Sequence, residues 1–199
     1  MRLKIKQRLL RCLTRVRGGE HLAELNREMH RHGKFRGISW RSSLSEFREA
    51  VPALEQRTIL DYGCGPLGGL RGAFPERTIA HDPYVDEFAE PPWGKPFDTV
   101  FSSDVLEHMT LSEVRTLADR IKGSTAEYVF LVVSTRAAGK HLANGANAHL
   151  LIKSPEWWRK TLQRALGEAF QLTVFKADLL RRDVTLCFHR PPPAGTRSA

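Results

Sequence analysis

The sequence predicts an α/β fold in which a mostly parallel, doubly wound sheet carries helices on both faces. Three observations support this prediction. From residue 57 onward, short β-branched runs alternate with segments of helical period. Glycines or helix-capping residues stand between those segments. Two further apolar runs close the chain with only a short connection, which adds an antiparallel hairpin at one edge of the sheet.

Length and composition are those of an ordinary globular protein. The 199 residues can form one domain with a substantial core, and 41% are hydrophobic and 27% charged. No run approaches the roughly 18 apolar residues of a membrane span, and no secretory signal is recognisable at the start. Cys12, Cys64 and Cys187 form no C-x-x-C pair, which indicates neither a disulfide framework nor a zinc site. We therefore expect a cytoplasmic protein without a metal.

The net charge of +9 is concentrated at the beginning of the chain. Residues 1–50 hold 13 Lys or Arg and 5 Asp or Glu, whereas residues 51–199 hold 18 and 17. We therefore divide the chain into a basic helical cap (1–50), an α/β domain (51–190) and a disordered tail (191–199). Residues 2–16 form a predicted helix with Arg and Lys around an apolar stripe. Three interpretations of this segment stay open. Basic residues 1–17 could contact RNA or an anionic membrane surface, the helix could be solvated and cover part of the core, or the segment could be a mitochondrial presequence.

Two more helices are predicted ahead of the sheet. The first spans about residues 20–32. The glycine-punctuated segment "HGKFRGISW" follows, and it ends at Trp40. The second helix begins at "SLSE" (43–46), which has the spacing of a capping box, and Pro52 ends it early.

Six strands are predicted from residue 57 onward. In order they are "RTILDYG", "RTIAHDPY", "FDTVFSSDV", "EYVFLVVST", "FQLTVFKAD" and "DVTLCFHR". A turn and a short helix, "GPLGGLRGAF", follow the first strand. The capping box "TLSE" (110–113) opens a helix that ends before Gly123, and "SPE" (154–156) opens one that reaches about Gly167. Ligands of such sheets bind at the carboxyl ends of the parallel strands.

The stretch "ILDYGCGPLGGL" (59–70) is a candidate cofactor turn, because it follows a predicted strand and leads into a helix. Its G-x-G-x-x-G spacing favours a dinucleotide. Asp61 opposes that interpretation because its charge would repel a pyrophosphate, and Pro66 removes an amide donor. Asp82, at the end of the next strand, could accept both hydroxyls of an unphosphorylated ribose, or could be only a turn residue before Pro83.

Three motifs in this order, "ILDYGCG", "HDP" and "FDTVFSSDVLEHM", resemble the signature of class I S-adenosylmethionine-dependent methyltransferases, whose sheet is Rossmann-like. The resemblance implies an enzyme with S-adenosyl-L-methionine as its cofactor. By matched position it implies that methionine and ribose are bordered by Asp61, Gly63 and Gly65. It also implies that Asp82 holds the ribose hydroxyls and that Ser103 and Asp104 line methionine or adenine.

The interval after the second strand departs from this family. Only 15 residues separate Asp82 from Asp98, where the family has a helix, a third strand and a residue that contacts adenine. We therefore expect the third strand to be missing, and we assign no adenine-binding residue.

The acceptor side is predicted from the "VLEH" motif and from the polar loop after the fourth strand. His108 and His149 are candidate bases, because an oxygen or nitrogen acceptor must lose a proton. Packing of His108 against the glycine turn is an equally open interpretation. The candidate acceptor contacts, taken from the loop and from the segment before the fold, are Arg136, His141, Asn144, Asn147 and Trp40. The same residues also fit an ordinary polar surface loop.

The sequence therefore favours a methyltransferase that modifies oxygen or nitrogen of a small molecule or of a saccharide- or lipid-linked acceptor. RNA methylation stays open, although the basic residues are confined to the beginning of the chain. A non-catalytic cofactor-binding or partner module and an NAD-dependent oxidoreductase also stay open. The sequence "SSDVLEH" after the third strand lacks the N-P-P-Y motif of enzymes that methylate base amino groups.

Overall fold

The computed structural model describes residues 24–192, so the predicted basic helix 2–16 lies outside the described residues, as does most of the predicted tail. The described chain contains a six-stranded sheet in the order β2-β1-β3-β4-β6-β5. Its strands are β1 (Ile59–Tyr62), β2 (Thr78–His81), β3 (Thr99–Ser103), β4 (Tyr128–Ser134), β5 (Gln171–Asp178) and β6 (Asp183–His189). The first four are parallel, and β6 runs antiparallel to both β4 and β5.

The two unusual features predicted for the sheet are confirmed. β2 is an edge strand, and residues 82–98 lead from it to β3 with only a 3-10 turn, Asp86–Phe88, between them. At the other edge, β5 and β6 form the predicted antiparallel hairpin. The fold is therefore a Rossmann-like α/β sheet that is shortened on the β2 side.

Four α-helices accompany the sheet in the described part of the chain: α1, whose described residues are 24–31, α2 (Leu44–Ala50), α3 (Leu111–Lys122) and α4 (Pro155–Leu166). The capping box of α3 is confirmed, since Thr110 accepts from the Glu113 amide at 3.3 Å and Glu113 accepts from the Thr110 amide at 2.7 Å. Ser154 caps α4 by accepting from the Trp157 amide at 3.2 Å, as its sequence predicts.

The capping box predicted at Ser43 is wrong. A 3-10 turn, Ser39–Ser42, runs directly into α2, so Ser43 already has helical backbone angles and its side chain caps nothing. The Glu46 carboxylate instead bonds to the β-hairpin, where it accepts from the Thr185 hydroxyl at 3.0 Å and pairs with Lys176. Tertiary contacts thus replace the local motif, and they join α2 to the sheet.

Helices cover both faces of the sheet, as predicted. Leu60 faces the cluster that contains α3 and α4, whereas its neighbour Ile59 faces the cluster that contains α2. Trp158 of α4 is fully buried while Trp157 is half-buried, so one of the adjacent tryptophans faces the core. Within residues 24–192 no helix is long and apolar enough to cross a membrane.

Candidate functional site

A cavity of about 1050 Å³ lies at the carboxyl ends of the parallel strands. Each of these strands, or the turn directly after it, contributes to its wall. The predicted site residues that line it are Gly63, Gly65, Asp82, Ser103, Asp104, His108, Arg136 and His149. The cavity therefore joins residues predicted for the cofactor to residues predicted for catalysis.

The glycine turn after β1 packs against the segment that precedes the sheet. Gly65 has φ of +66°, and a Cβ atom there would lie 2.7 Å from the Cα of Gly37. Side-chain contacts also hold this segment in place, since the Ser39 hydroxyl donates to the Ser103 carbonyl at 3.0 Å. Residues 35–39 consequently form one wall of the cavity.

Asp82 is fixed by the backbone on both sides. One carboxylate oxygen accepts from the Gly65 amide and the other from the Tyr84 amide, each at 3.0 Å. The residue is 4% exposed and lines the cavity, and His30 of α1 lies 3.9 Å from it. Because a carboxylate has about four lone-pair positions, each oxygen can accept one more hydrogen bond from a ligand.

Asp61 does not line the cavity. It is 2% exposed and accepts from the Leu70 amide at 2.7 Å, which ties the 3-10 turn Gly69–Gly72 to the end of β1. Burial raises the pKa of Asp61 to about 7. The structure therefore places this acid beneath the turn, and its charge does not face the mouth of the site.

Two histidines stand together on the opposite side of the cavity. The ring centroids of His108 and His149 are 4.7 Å apart, and the rings are nearly perpendicular. His108 Nδ1 bonds to the Ala148 carbonyl at 2.8 Å, and His149 Nδ1 bonds to the Arg136 carbonyl at 2.7 Å. Burial lowers the pKa of His108 to about 4, with His149 contributing, and burial also lowers the pKa of His149.

Glu107 is the residue of this site whose role sequence reasoning missed. It is fully buried, and its carboxylate accepts from the Ser134 amide at 3.1 Å, at the end of β4. Its oxygen lies 4.0 Å from His149 Nε2. Burial, with Asp104 next to it, raises the pKa of Glu107 well above the ordinary range. An acid within the apolar "VLEHM" run was the available signal, because such a residue is rarely buried without a partner.

The remaining predicted acceptor residues lie outside the cavity wall. Asn147 fastens the loop to itself, since it bonds to both backbone groups of Ala138, at 3.0 and 2.9 Å, and to the His149 amide at 2.9 Å. His141 forms an isolated bridge with Asn147, and Asn144 accepts from a neighbouring amide in the same loop. Trp40 packs beside Gly72 in the cluster around α2.

Aromatic side chains line a further part of the cavity wall. Trp93, from the shortened segment between β2 and β3, lies 6.0 Å from the ring of Tyr62. The Arg120 guanidinium stands over Trp93 at 5.7 Å. These residues form the end of the cavity next to α3, where two aromatic rings lie beside a charged guanidinium.

No family model matches this chain, and no curated protein matches it in sequence. Similar folds occur among solved structures. The 1,6-didemethyltoxoflavin-N1-methyltransferase of Burkholderia thailandensis, with 1,6-didemethyltoxoflavin and S-adenosylhomocysteine bound, has 14% identity and a TM-score of 0.57 over 87% of this chain and 90% of that one. DhpI in complex with S-adenosylhomocysteine has 14% identity and a TM-score of 0.55 over 86% and 98%.

A third similar structure is the Pnkp1/Rnl/Hen1 RNA repair complex, with 14% identity and a TM-score of 0.52 over 75% of this chain. The chain spans 41% of that protein, and 64% of the 16S rRNA methyltransferase RmtF. The likenesses with TM-scores above 0.5 show that the chain has the fold of class I S-adenosylmethionine-dependent methyltransferases.

Proposed function

We propose that this protein transfers a methyl group from S-adenosyl-L-methionine to an acceptor bound in the same cavity. One observation carries the proposal: the glycine turn and Asp82 face a pair of histidines across a single cavity at the strand ends of a methyltransferase fold. Donor and acceptor can therefore occupy one enclosed space, and holding two reactants in line lowers the barrier by several kcal/mol.

In this proposal the cofactor lies along the β1–β2 side of the cavity. Gly63 and Gly65 offer backbone without side chains, and Asp82 accepts the ribose hydroxyls with its remaining lone pairs. Ser103 and Asp104 border the methionine part, where a carboxylate suits an amino group or a sulfonium. Asp61 acts indirectly by holding the turn.

The acceptor lies on the side of His108 and His149. Each histidine has its Nδ1 on a backbone carbonyl, so the proton resides on Nδ1 and Nε2 is free to accept a proton from the acceptor. Four of the basic residues of the wall, Arg27, Arg36, Arg136 and Lys140, favour an acceptor with negative charge. The cavity volume is that of a small-molecule site, which favours a small or saccharide-like acceptor over RNA.

Calorimetry with S-adenosylmethionine, S-adenosylhomocysteine and NAD tests the cofactor. We expect binding of the first two and none of NAD. Asp82→Ala should weaken S-adenosylhomocysteine by about 1–3 kcal/mol, because hydrogen bonds to a charged group are lost. Asp86→Ala, an exposed acid on the same segment, is the matched control and should bind as the wild type does.

Absence of heat with both sulfur compounds would contradict the proposal, and binding of NAD instead would favour an oxidoreductase. The acceptor class is tested with a labelled methyl donor, by offering a small-molecule extract and total RNA in parallel. Label in the small-molecule fraction is expected; label found only in RNA would assign the acceptor to that class.

A further inference from the structure

We propose that Glu107, His108 and His149 bind a divalent transition-metal ion, and that this ion coordinates a hydroxyl oxygen of the acceptor. The first part is independent of the proposed function. The second part rests on it and replaces one detail, since the Nε2 atoms then bind the ion instead of accepting the proton of the acceptor. The proposal departs from the expectation, drawn from the cysteine pattern, that the protein has no metal.

The three side chains converge on one point. Their ligand atoms, one from each residue, lie within 4.8 Å of one another. Ligands about 2.1 Å from a tetrahedral ion are separated by about 3.4 Å, so contraction by roughly 1 Å brings all three into coordination. The three come from the segment after β3 and from the loop after β4, so the fold itself brings them together.

The ring nitrogens of both histidines are arranged as metal ligands require. The Ala148 and Arg136 carbonyls can only accept, so each Nδ1 carries the proton. Both Nε2 atoms are therefore unprotonated, and that of His149 points toward Glu107, 4.0 Å from its oxygen. An imidazole whose second nitrogen donates to a backbone carbonyl is the usual arrangement of a metal-binding histidine.

Glu107 supplies an independent observation. Its Oε1 accepts from the Ser134 amide, but Oε2 is buried with no hydrogen-bond partner among residues 24–192. A buried carboxylate oxygen without a partner is costly. Asp82, the buried acid on the other side of the cavity, has a backbone donor for each oxygen. A cation bound by the Glu107 carboxylate, whose Oε1 lies 4.0 Å from His149 Nε2, would give Oε2 the partner that it lacks among these residues.

The ligand set indicates the class of metal. Two imidazoles and one carboxylate suit Zn²⁺, Mn²⁺ or Fe²⁺ better than Mg²⁺ or Ca²⁺, which prefer oxygen ligands. Three protein ligands leave positions open for a substrate. Since the site borders the cavity through both histidines, those open positions face the proposed acceptor.

Such an ion would define the acceptor as a hydroxyl compound. Coordination lowers the pKa of a bound oxygen, so the hydroxyl loses its proton to solvent water near neutral pH. That oxygen then forms a bond to the methyl carbon. The carbon–sulfur bond of the donor breaks, and its electron pair remains on sulfur, which gives S-adenosylhomocysteine and a methyl ether.

Metal binding is tested on the full chain after EDTA treatment and dialysis. Calorimetry with ZnCl₂ and with MnCl₂, together with the paramagnetic resonance signal of free Mn²⁺, should show one ion per chain. His149→Ala and Glu107→Gln should each weaken binding at least about 100-fold, since each removes one of three ligands. His189→Ala is the matched control, because His189 pairs with Tyr128 at the other end of β4 and should not affect binding.

Thermal unfolding of each variant shows whether it is folded, and His108→Ala provides a third ligand deletion should one variant fail to fold. No stoichiometric binding of either ion by the wild type would overturn the metal site. Binding that is unchanged in all three ligand variants would overturn it as well.

The two proposals fail separately. S-adenosylhomocysteine binding without metal binding removes only the metal site, and metal binding without S-adenosylhomocysteine binding removes only the methyltransferase. With an acceptor in hand, EDTA should abolish methylation and Mn²⁺ or Zn²⁺ should restore it. Methylation that persists in EDTA would overturn the role of the ion in acceptor binding.

Discussion

The two sides of the cavity are built in different ways. The turn side consists of the glycine turn and Asp82, and its polar groups are paired with backbone amides only a few residues from a strand end. The histidine side consists of Glu107, His108 and His149, which meet through a loop that is fastened by side chains. The turn side is thus fixed by backbone amides at the strand ends and by the segment 35–39 that packs against it. The histidine side is fixed by hydrogen bonds of side chains within the loop after β4 and between that loop and His108.

The difference matters for chemistry. A cofactor that is bound in the same way in every turnover is served by a rigid frame of amides and a carboxylate. The histidine side instead retains lone pairs that accept no hydrogen bond within residues 24–192. They belong to Glu107 Oε2 and to the Nε2 atoms of His108 and His149. Groups left free in this way are available to a metal ion or to an acceptor.

The largest expected effect comes from breaking the turn side. Gly65→Ala places a Cβ atom 2.7 Å from the Gly37 Cα, in a left-handed backbone conformation. Both effects should lower the free energy of unfolding by about 3 kcal/mol or more, and cofactor binding should be lost with it. Urea denaturation and calorimetry with S-adenosylhomocysteine measure the two quantities.

The matched control is Gly94→Ala. A Cβ atom there meets nothing within 4 Å, and its backbone is not left-handed. It should change stability by less than about 0.5 kcal/mol. If Gly65→Ala proved equally harmless, the turn would have to be more adaptable than its contacts with the preceding segment indicate.

A smaller effect is expected on the histidine side. Asn147→Ala removes three hydrogen bonds within the loop, two to Ala138 and one from the His149 amide. We expect a loss of about 1–2 kcal/mol, confined to the loop. Hydrogen exchange of the Ala138 and His149 amides should accelerate at least about 10-fold, while that of Gly65 stays unchanged.

Asn144→Ala is its control, because within residues 24–192 that exposed side chain accepts only from the Ala146 amide. It should leave exchange at Ala138 as in the wild type. Equal acceleration at Gly65 in the Asn147 variant would show that the two sides open together, and the contrast between them would not hold.

The same contrast explains what the sequence could predict. The strands, the missing third strand and the caps of α3 and α4 follow from patterns within about 20 residues. The positions of Gly63, Gly65 and Asp82 on the cavity wall follow in the same way, because strand ends meet at one edge of the sheet.

Side-chain contacts that no local sequence pattern indicates account for the errors. Glu46 does not complete a cap with Ser43 but bonds to the hairpin, 130 to 139 residues further along the chain. Asn147 looked available for an acceptor but its polar atoms are used within the loop. No sequence motif predicts that Glu107 and His149 lie together, since 41 residues separate them.

The smallest expected effect concerns Asp61, whose carboxylate accepts a hydrogen bond from the Leu70 amide and so holds the end of the glycine turn against β1. Burial raises the pKa of Asp61 to about 7 in the folded protein, against about 3.9 when unfolded. At pH values between these two pKa values, Asp61 is therefore protonated in the folded state and ionised in the unfolded state. This contribution to stability is complete below about pH 4 and is lost as the pH rises through 7.

As the pH rises from 6 to 8, ionisation of Asp61 should thus lower the free energy of unfolding of the wild type by about 1 kcal/mol. Asp61→Asn keeps an oxygen for the Leu70 amide and removes the ionisation, so urea denaturation of this variant should show a smaller decrease over that interval. Comparison of the two slopes cancels the histidines and Glu107, which titrate in both proteins. Parallel slopes would mean that Asp61 is ionised at pH 6, and that the turn side rests on a buried charge as well as on its backbone.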